Sequence, residues 1–292
     1  KGQTCYICTQ ALHWKTKEGL VRMCACRGTA GFAHVSCLAE QAKILVAEAE
    51  ENNLGTKVWS EWRRWHACSL CEQEYHGVVA CALGWACWKT YVGRPEADHF
   101  RACAMRVLGS GLSAAKQYED AMSVMEAELS MRQRLGASES SILITKGNLA
   151  CMYHELGRLE EAMCLRRDVY SGDLRLYGEE HRETLIDAYN YTNDLLRLKR
   201  FEEVKQLMRK NLPAARRVLG ESNELTLRFR ANYAEVLYAD PDATRDDLRE
   251  AVTTLEEIEP IARRVFGGAH PLTVGIEDDL RNARAVLRAR DG

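Results

Sequence analysis

The stretch "CACRGTAGFAHVSC", residues 24–37, sets three cysteines and one histidine within fourteen positions, and its reading decides the first third of the fold. Cys24 and Cys26 stand one residue apart and are badly placed for a disulfide with each other. Outward from this stretch the potential ligands come in four pairs: Cys5-x2-Cys8, Cys24-x-Cys26, His34-x2-Cys37 and Cys68-x2-Cys71. Zinc takes four nitrogen or sulfur ligands at the corners of a tetrahedron, so eight ligands make two closed sites. A pair two or three positions apart lets one tight turn present two ligands to one metal. Fifteen residues separate Cys8 from Cys24, but only seven separate Cys26 from His34. That contrast implies interleaving, with Cys5, Cys8, His34 and Cys37 around one zinc and Cys24, Cys26, Cys68 and Cys71 around the other. A disulfide framework is the competing use of so much cysteine. The regularly placed histidine and the lack of a charged-then-apolar leader argue against it.

Composition divides the 292-residue chain. Nine of its twelve cysteines and all six tryptophans precede residue 89. The remainder is rich in Leu, Ala, Glu and Arg, the composition of helices. "VGRPEAD", residues 92–98, is the natural joint, with Pro95 expected in the first turn of a new helix. The boundaries read from sequence are therefore 1–91 and 96–292. A net charge of −2 gives no bias toward nucleic acid or anionic membranes. The longest strongly apolar stretch, residues 77–88, is shorter than the roughly 20 residues a spanning helix needs. These features predict a soluble protein of the cytoplasm or nucleus. Among the other cysteines, Cys81 and Cys87 are poorly spaced for one metal, and Cys103, Cys151 and Cys164 read as small core hydrophobes.

The ligand order, with its one-residue second pair and its seven-residue gap before the histidine, resembles the RING-CH finger of ubiquitin ligases. PHD fingers share the order but usually have a wider second pair. The resemblance implies two structural zincs and a domain that recruits a ubiquitin-conjugating enzyme and promotes ubiquitin transfer from its thioester. It implies no catalytic residue on the ligase itself. The docking surface of that family maps here onto Ile7, a tryptophan of "WSEWRRW" taken as Trp62, and Leu70. Two departures stand out. Thirty residues separate Cys37 from Cys68, more than the family usually shows. Glu72 follows the last ligand, where active ligases often carry a cation.

Past residue 97 the chain repeats itself. "RLG", "LYG" and "VLG" end at Gly136, Gly178 and Gly220, each forty-two residues on, and "VFG" ends at Gly267 after a short insertion. Leu143, Leu185 and Leu227 recur in step, and "GRLEEA" at 157–162 returns as "KRFEEV" at 199–204. Such periodicity predicts stacked helical hairpins, none of which buries its own apolar face alone. Helices are expected near 98–115, 118–135, 139–156, 159–177, 181–198, 201–219, 223–239, 245–266 and 271–290. The unit resembles the long tetratricopeptide repeat of kinesin light chains, which implies a groove for a peptide or protein. Asn148, Asn190 and Asn232 recur at the same period on first helices, and a row of amides there can hydrogen-bond an extended backbone.

The sequence thus predicts a mainly α protein: a small cross-braced two-zinc finger followed by an α-solenoid. Its expected function is that of a RING-type ubiquitin ligase, with a ubiquitin-conjugating enzyme, ubiquitin and a groove-bound protein substrate as partners. The alternative is a non-catalytic zinc-finger and repeat scaffold.

Overall fold

The computed structural model describes residues 2–291 and contains twelve α-helices among them. Only isolated β-bridges, Val21 with Ala33 and Ala67 with Glu74, interrupt the helical and loop structure of the described residues. The chain forms two compact units, one ending at Leu156 and the other beginning at Gly157.

The first unit opens with the loops that carry the cysteine pairs. It continues with α1 (Val35–Glu51), α2 (Thr56–Trp62), a 3-10 turn (Arg63–Trp65) and α3 (Gly77–Tyr91), then α4 (His99–Ala114), α5 (Tyr118–Arg134) and α6 (Glu139–Glu155). The long interval between Cys37 and Cys68 is therefore folded structure, with α1 and α2 packed on each other. Their shared face holds Val46, Ala49, Trp62 and Trp65, against Cys87 and Tyr91 of α3 and Cys103 of α4. Pro95 does not start α4. Asp98 is its N-cap and accepts from the N–H groups of Phe100 and Arg101, satisfying donors that the first turn leaves open. The joint before it is tied down, since Arg94 grips Glu50 of α1 through two bonds of 2.9 and 2.8 Å.

Two glycines let α3 and α4 approach closely. A Cβ on Gly111 would stand 2.5 Å from the Ala80 carbonyl oxygen, and one on Gly84 would stand 3.0 Å from the Leu108 Cα. Only hydrogen fits there. Compactness thus joins the finger to the first helices of the repeat region, and the break after Leu156 falls well past the composition joint.

The second unit comprises α7 (Leu159–Tyr177), α8 (Arg182–Arg197), α9 (Phe201–Leu219), α10 (Glu224–Ala239), α11 (Arg245–Phe266) and α12 (Pro271–Asp291). Each helix packs on the next, and α10 also touches α8 and α12, which sets the first helices of successive hairpins side by side. The recurring glycines explain themselves. Gly178, Gly220 and Gly267 end α7, α9 and α11 at φ of 86°, 87° and 89°, a backbone region that side-chain-bearing residues avoid. Leu185, Leu195, Met208, Leu227, Phe229 and Leu255 form the centre of this unit's core.

Candidate functional site

The ligand pairs are presented by turns of one design. At Cys5 the amide donates to the Gln10 carbonyl (3.0 Å), Thr9 N–H donates back to the Cys5 carbonyl (2.9 Å), and Thr9 takes φ 63°. Cys68 repeats this with Gln73 (2.9 Å) and Glu72 (2.9 Å), Glu72 taking φ 58°. The tight reversal turns both sulfurs of each pair to one side. A third turn of the same pattern follows the first: His13 N–H donates to Glu18 (3.0 Å), Lys17 N–H donates to His13 (2.9 Å), and Lys17 takes φ 59°. It lacks a second ligand, because Thr16 stands there and donates its N–H (3.1 Å) to His13 Nδ1, with its hydroxyl 2.8 Å from the same atom. His13 is buried with its ring centroid 5.4 Å from that of His34. It supports a cluster residue from behind, a role with no spacing signature in the sequence.

The structure brings the eight residues together in two groups, Cys5 with Cys8, His34 and Cys37, and Cys24 with Cys26, Cys68 and Cys71. In each, the candidate ligand atoms lie within 4.8 Å of one another. Tetrahedral zinc with Zn–S near 2.3 Å and Zn–N near 2.05 Å places two sulfurs about 3.8 Å apart, and a sulfur and a nitrogen about 3.6 Å apart. Cys26 Sγ and Cys68 Sγ are separated by 3.8 Å, and His34 Nδ1 lies 3.4 Å from Cys8 Sγ and 3.6 Å from Cys37 Sγ. The donor sets fit the ion. His34 presents Nδ1 inward while Nε2 stands 3.4 Å from the Ala11 carbonyl, the outer-shell contact that fixes a ligating tautomer. His34 is also the N-cap of α1, and Glu18 accepts from Ser36 N–H at 2.8 Å in that helix's first turn, so the helix that carries Cys37 is anchored beside the cluster.

Electrostatics points the same way. Burial works upward on the Cys5 thiol, but N–H groups of Cys8, His34 and Ile7 outweigh it and bring it to about 7. Burial, then the neighbouring Cys8 and Cys5 sulfurs, pushes Cys37 up to about 12. In the other cluster the Gln73 N–H draws Cys71 down to about 7, while burial and crowding by Cys24, Cys71 and Cys68 push Cys26 up. A cation among the sulfurs relieves that crowding and favours their thiolate form. No disulfide joins any two cysteines of the described residues. Cys81 is partly exposed, Cys87 and Cys103 are buried in the core, and Cys164 is exposed rather than packed inside.

The expected docking residues separate. Leu70 is 52% exposed and Ile7 half-buried, and Tyr6 and Ser69, the residues just before them, share a 3.0 Å hydrogen bond. That bond ties the first and last ligand turns, so Ile7 and Leu70 leave the same junction. Trp62 corrects the expectation. It is 5% exposed and packs on Tyr91 and Phe100, because the helical insertion turns this face of α2 inward. Trp65 is buried as well, and the exposed member of the trio is Trp59, which stacks on Phe100.

The asparagine row also divides. Asn190 on α8 and Asn232 on α10 belong to the second unit, and Asn148 lies on α6 of the first. Asn232 Nδ2 donates to Asn193 Oδ1 at 2.6 Å and so braces α10 to α8. Asn190 is half-buried, and its side chain makes no hydrogen bond within the described protein. No described helix is long and apolar enough to cross a membrane.

The fold and its two Cys/His clusters define the class: a tetratricopeptide-like helical array with a candidate metal-binding segment at its N-terminal end. No protein-family model matches the chain. No curated protein matches it either. Among solved structures it is similar to a Podosopora anserina protein of nearly identical TPR-like repeats assigned to the kinesin light chains. The similarity has 18% identity and a TM-score of 0.54, over 79% of this chain and 97% of that one. A second crystal structure of such repeats from the same organism gives 17% identity and a TM-score of 0.53, over 80% and 98%. At these identities the likeness is one of fold.

Proposed function

We propose that residues 1–91 form a RING-CH-type finger holding two zinc ions, and that residues 96–292 form the array that selects a protein substrate. The finger recruits a ubiquitin-conjugating enzyme, and the array holds the substrate beside the charged thioester. Proximity then does the work, since tethering raises effective concentration without chemistry by the ligase. Zinc is the ion that the cysteine-rich, tetrahedral donor sets favour. The observation that carries this reading is the alternate sharing of four ligand pairs between two clusters, which sets the tips of the first and last turns at one junction.

In this reading Ile7 and Leu70 dock the conjugating enzyme, and Asn190 offers an unpaired amide to a peptide backbone in the groove. Glu72 cannot supply the cation that the resemblance expects. Arg63 stands nearby and donates to the Glu72 carbonyl at 3.4 Å, which places a guanidinium at that corner. The second reading, a non-catalytic scaffold, is favoured by the tight packing of α3 on α4, which gives the finger a structural task of its own. Autoubiquitination with a panel of conjugating enzymes separates the two. Ile7→Ala should abolish transfer with both zincs retained, and Arg63→Ala should slow discharge of the charged enzyme. Absence of transfer with every conjugating enzyme would leave the scaffold.

A further inference from the structure

A cavity of about 360 Å³ opens in the first unit, between the second metal-binding turn and α4. Trp65, His66, Glu74 and Tyr75 line it from the finger, and Arg106 and Ser110 line it from α4. Arg106 and Ser110 are four residues apart on one helix and so share a face. The Arg106 guanidinium is half-buried, and its only hydrogen bond in the described protein is a 3.7 Å contact to Cys103 Sγ on its own helix. It pairs with no carboxylate, whereas Arg94 and Arg132 in the same unit grip Glu50 and Glu128. A partly desolvated guanidinium with five donors and no counter-charge is an anion site in waiting. Glu74 already stands 3.8 Å from His66 Nδ1 and is 82% exposed at its side chain, so it leaves Arg106 unpaired.

We propose that this cavity binds a peptide segment bearing one carboxylate beside an apolar side chain, the carboxylate on Arg106 and Ser110 and the apolar group against Trp65 and Tyr75. Guanidinium and carboxylate match as parallel donors and acceptors, which selects a planar acid. Glu74 in the same lining disfavours a second negative charge. The volume is at the small end of ligand pockets and suits a short segment rather than a folded element. A side-chain acid and a chain terminus offer the same chemistry. The site does not depend on ubiquitin transfer.

The test is a titration of the full, metal-loaded chain with three probes, followed by the indole N–H resonances of its tryptophans. The probes are acetyl-Leu-Glu-amide, acetyl-Gly-Leu with a free carboxylate, and acetyl-Leu-Gln-amide. At least one acid should bind roughly tenfold or more tighter than the neutral peptide, the effect of a charge-assisted bond. Which acid binds tells a side chain from a terminus. Arg106→Gln should erase the difference, and Ser110→Trp, placed at an exposed position of α4, should fill the cavity and weaken the acids. Equal binding of all three peptides would overturn the proposal. So would undiminished acid binding by Arg106→Gln with metal content and helical signal intact. Should that variant not fold, undiminished acid binding by Ser110→Trp would overturn it in the same way.

Discussion

With the two clusters loaded as proposed, stripping their metal should unfold one unit and spare the other. His34 caps α1, and Cys37 lies within that helix's first turn. The second metal-binding turn leads directly into α3, where His76 N–H donates to the Met23 carbonyl at 3.1 Å. Two of the helices, α1 and α3, thus take their bearings from the clusters, and α3 carries α4 against it through Gly84 and Gly111. A structural zinc contributes about 10–16 kcal/mol of apparent binding free energy, whereas a whole domain is stable by about 5–15 kcal/mol. Loss of both ions therefore exceeds what the first unit can spare. Its helices hold a little under half of the helical residues, and α1–α3 alone hold about a fifth. Circular dichroism after chelation, with metal release measured on the same sample, should show a little under half of the helical signal gone. The second unit should persist, because its core is built entirely from residues after 156. Loss of only the smaller fraction would move the cooperative boundary to the α3–α4 joint. Full helical signal after proven metal loss would refute the reasoning, as would collapse of the whole chain.

Three further outcomes are expected. Gly111→Ala forces α3 and α4 apart at the Ala80 carbonyl and should cost about 1–3 kcal/mol in denaturant unfolding of the first unit; an unchanged midpoint would show that the contact is slack. Asn232→Ala removes the 2.6 Å bond to Asn193 and should cost about 1 kcal/mol, whereas Asn190→Ala, with no bond to lose, should leave the melting temperature alone and weaken peptide binding; the reverse ranking would place recognition elsewhere. On α8, burial and the neighbouring Asp173 carboxyl raise the Asp187 pKa to about 7 against partial compensation by Arg166, with Glu183 adding to the rise. A carboxyl raised on folding contributes stability that is fully present below its unfolded value and is lost as pH rises through its folded value. The second unit should thus weaken between pH 4 and 7, and Asp187→Asn should flatten that slope; a wild-type slope in the variant would exclude this pair as its cause.

The repeat helices were legible nearly to the residue, because local chemistry fixes their ends. A glycine at positive φ closes α7, α9 and α11, and Asn223 and Thr244 cap α10 and α11 with their side chains. The grouping of the eight Cys and His side chains was legible for a similar reason, since short spacings constrain which sulfurs meet. What escaped depended on contacts distant in sequence. Nothing around Trp62 announces that Tyr91 and Phe100 will cover it, and the resemblance to a finger with a shorter interval put it on the surface. Pro95 looked like a helix start, yet Asp98 offers the better cap. The equal spacing of Asn148, Asn190 and Asn232 suggested equal roles, but a 2.6 Å partner on α8 sets Asn232 apart.

The place of α3 bears on why a metal-binding segment and a helical array occur in one chain. A solenoid's terminal hairpin has one apolar face with no repeat to cover it, and such arrays need a cap. Here α3 covers α4, with Cys87 buried in one cluster with Cys103, Ala104 and Val107 and glycines at the closest approach. A helix that caps must itself be held, and α3 is held at its start by the turn that bears Cys68 and Cys71. The clusters therefore transmit their stability into the array through one helix. Leu70 and Ile7 take no part in that contact, and the cavity beside Arg106 borders it through Ala80 and Gly111, so a structural task for α3 does not use up the surface available for partners. Capping accounts for the buried side of the finger, and under the proposed function the 52% exposed Leu70 at the tip of its turn is the part left for a partner.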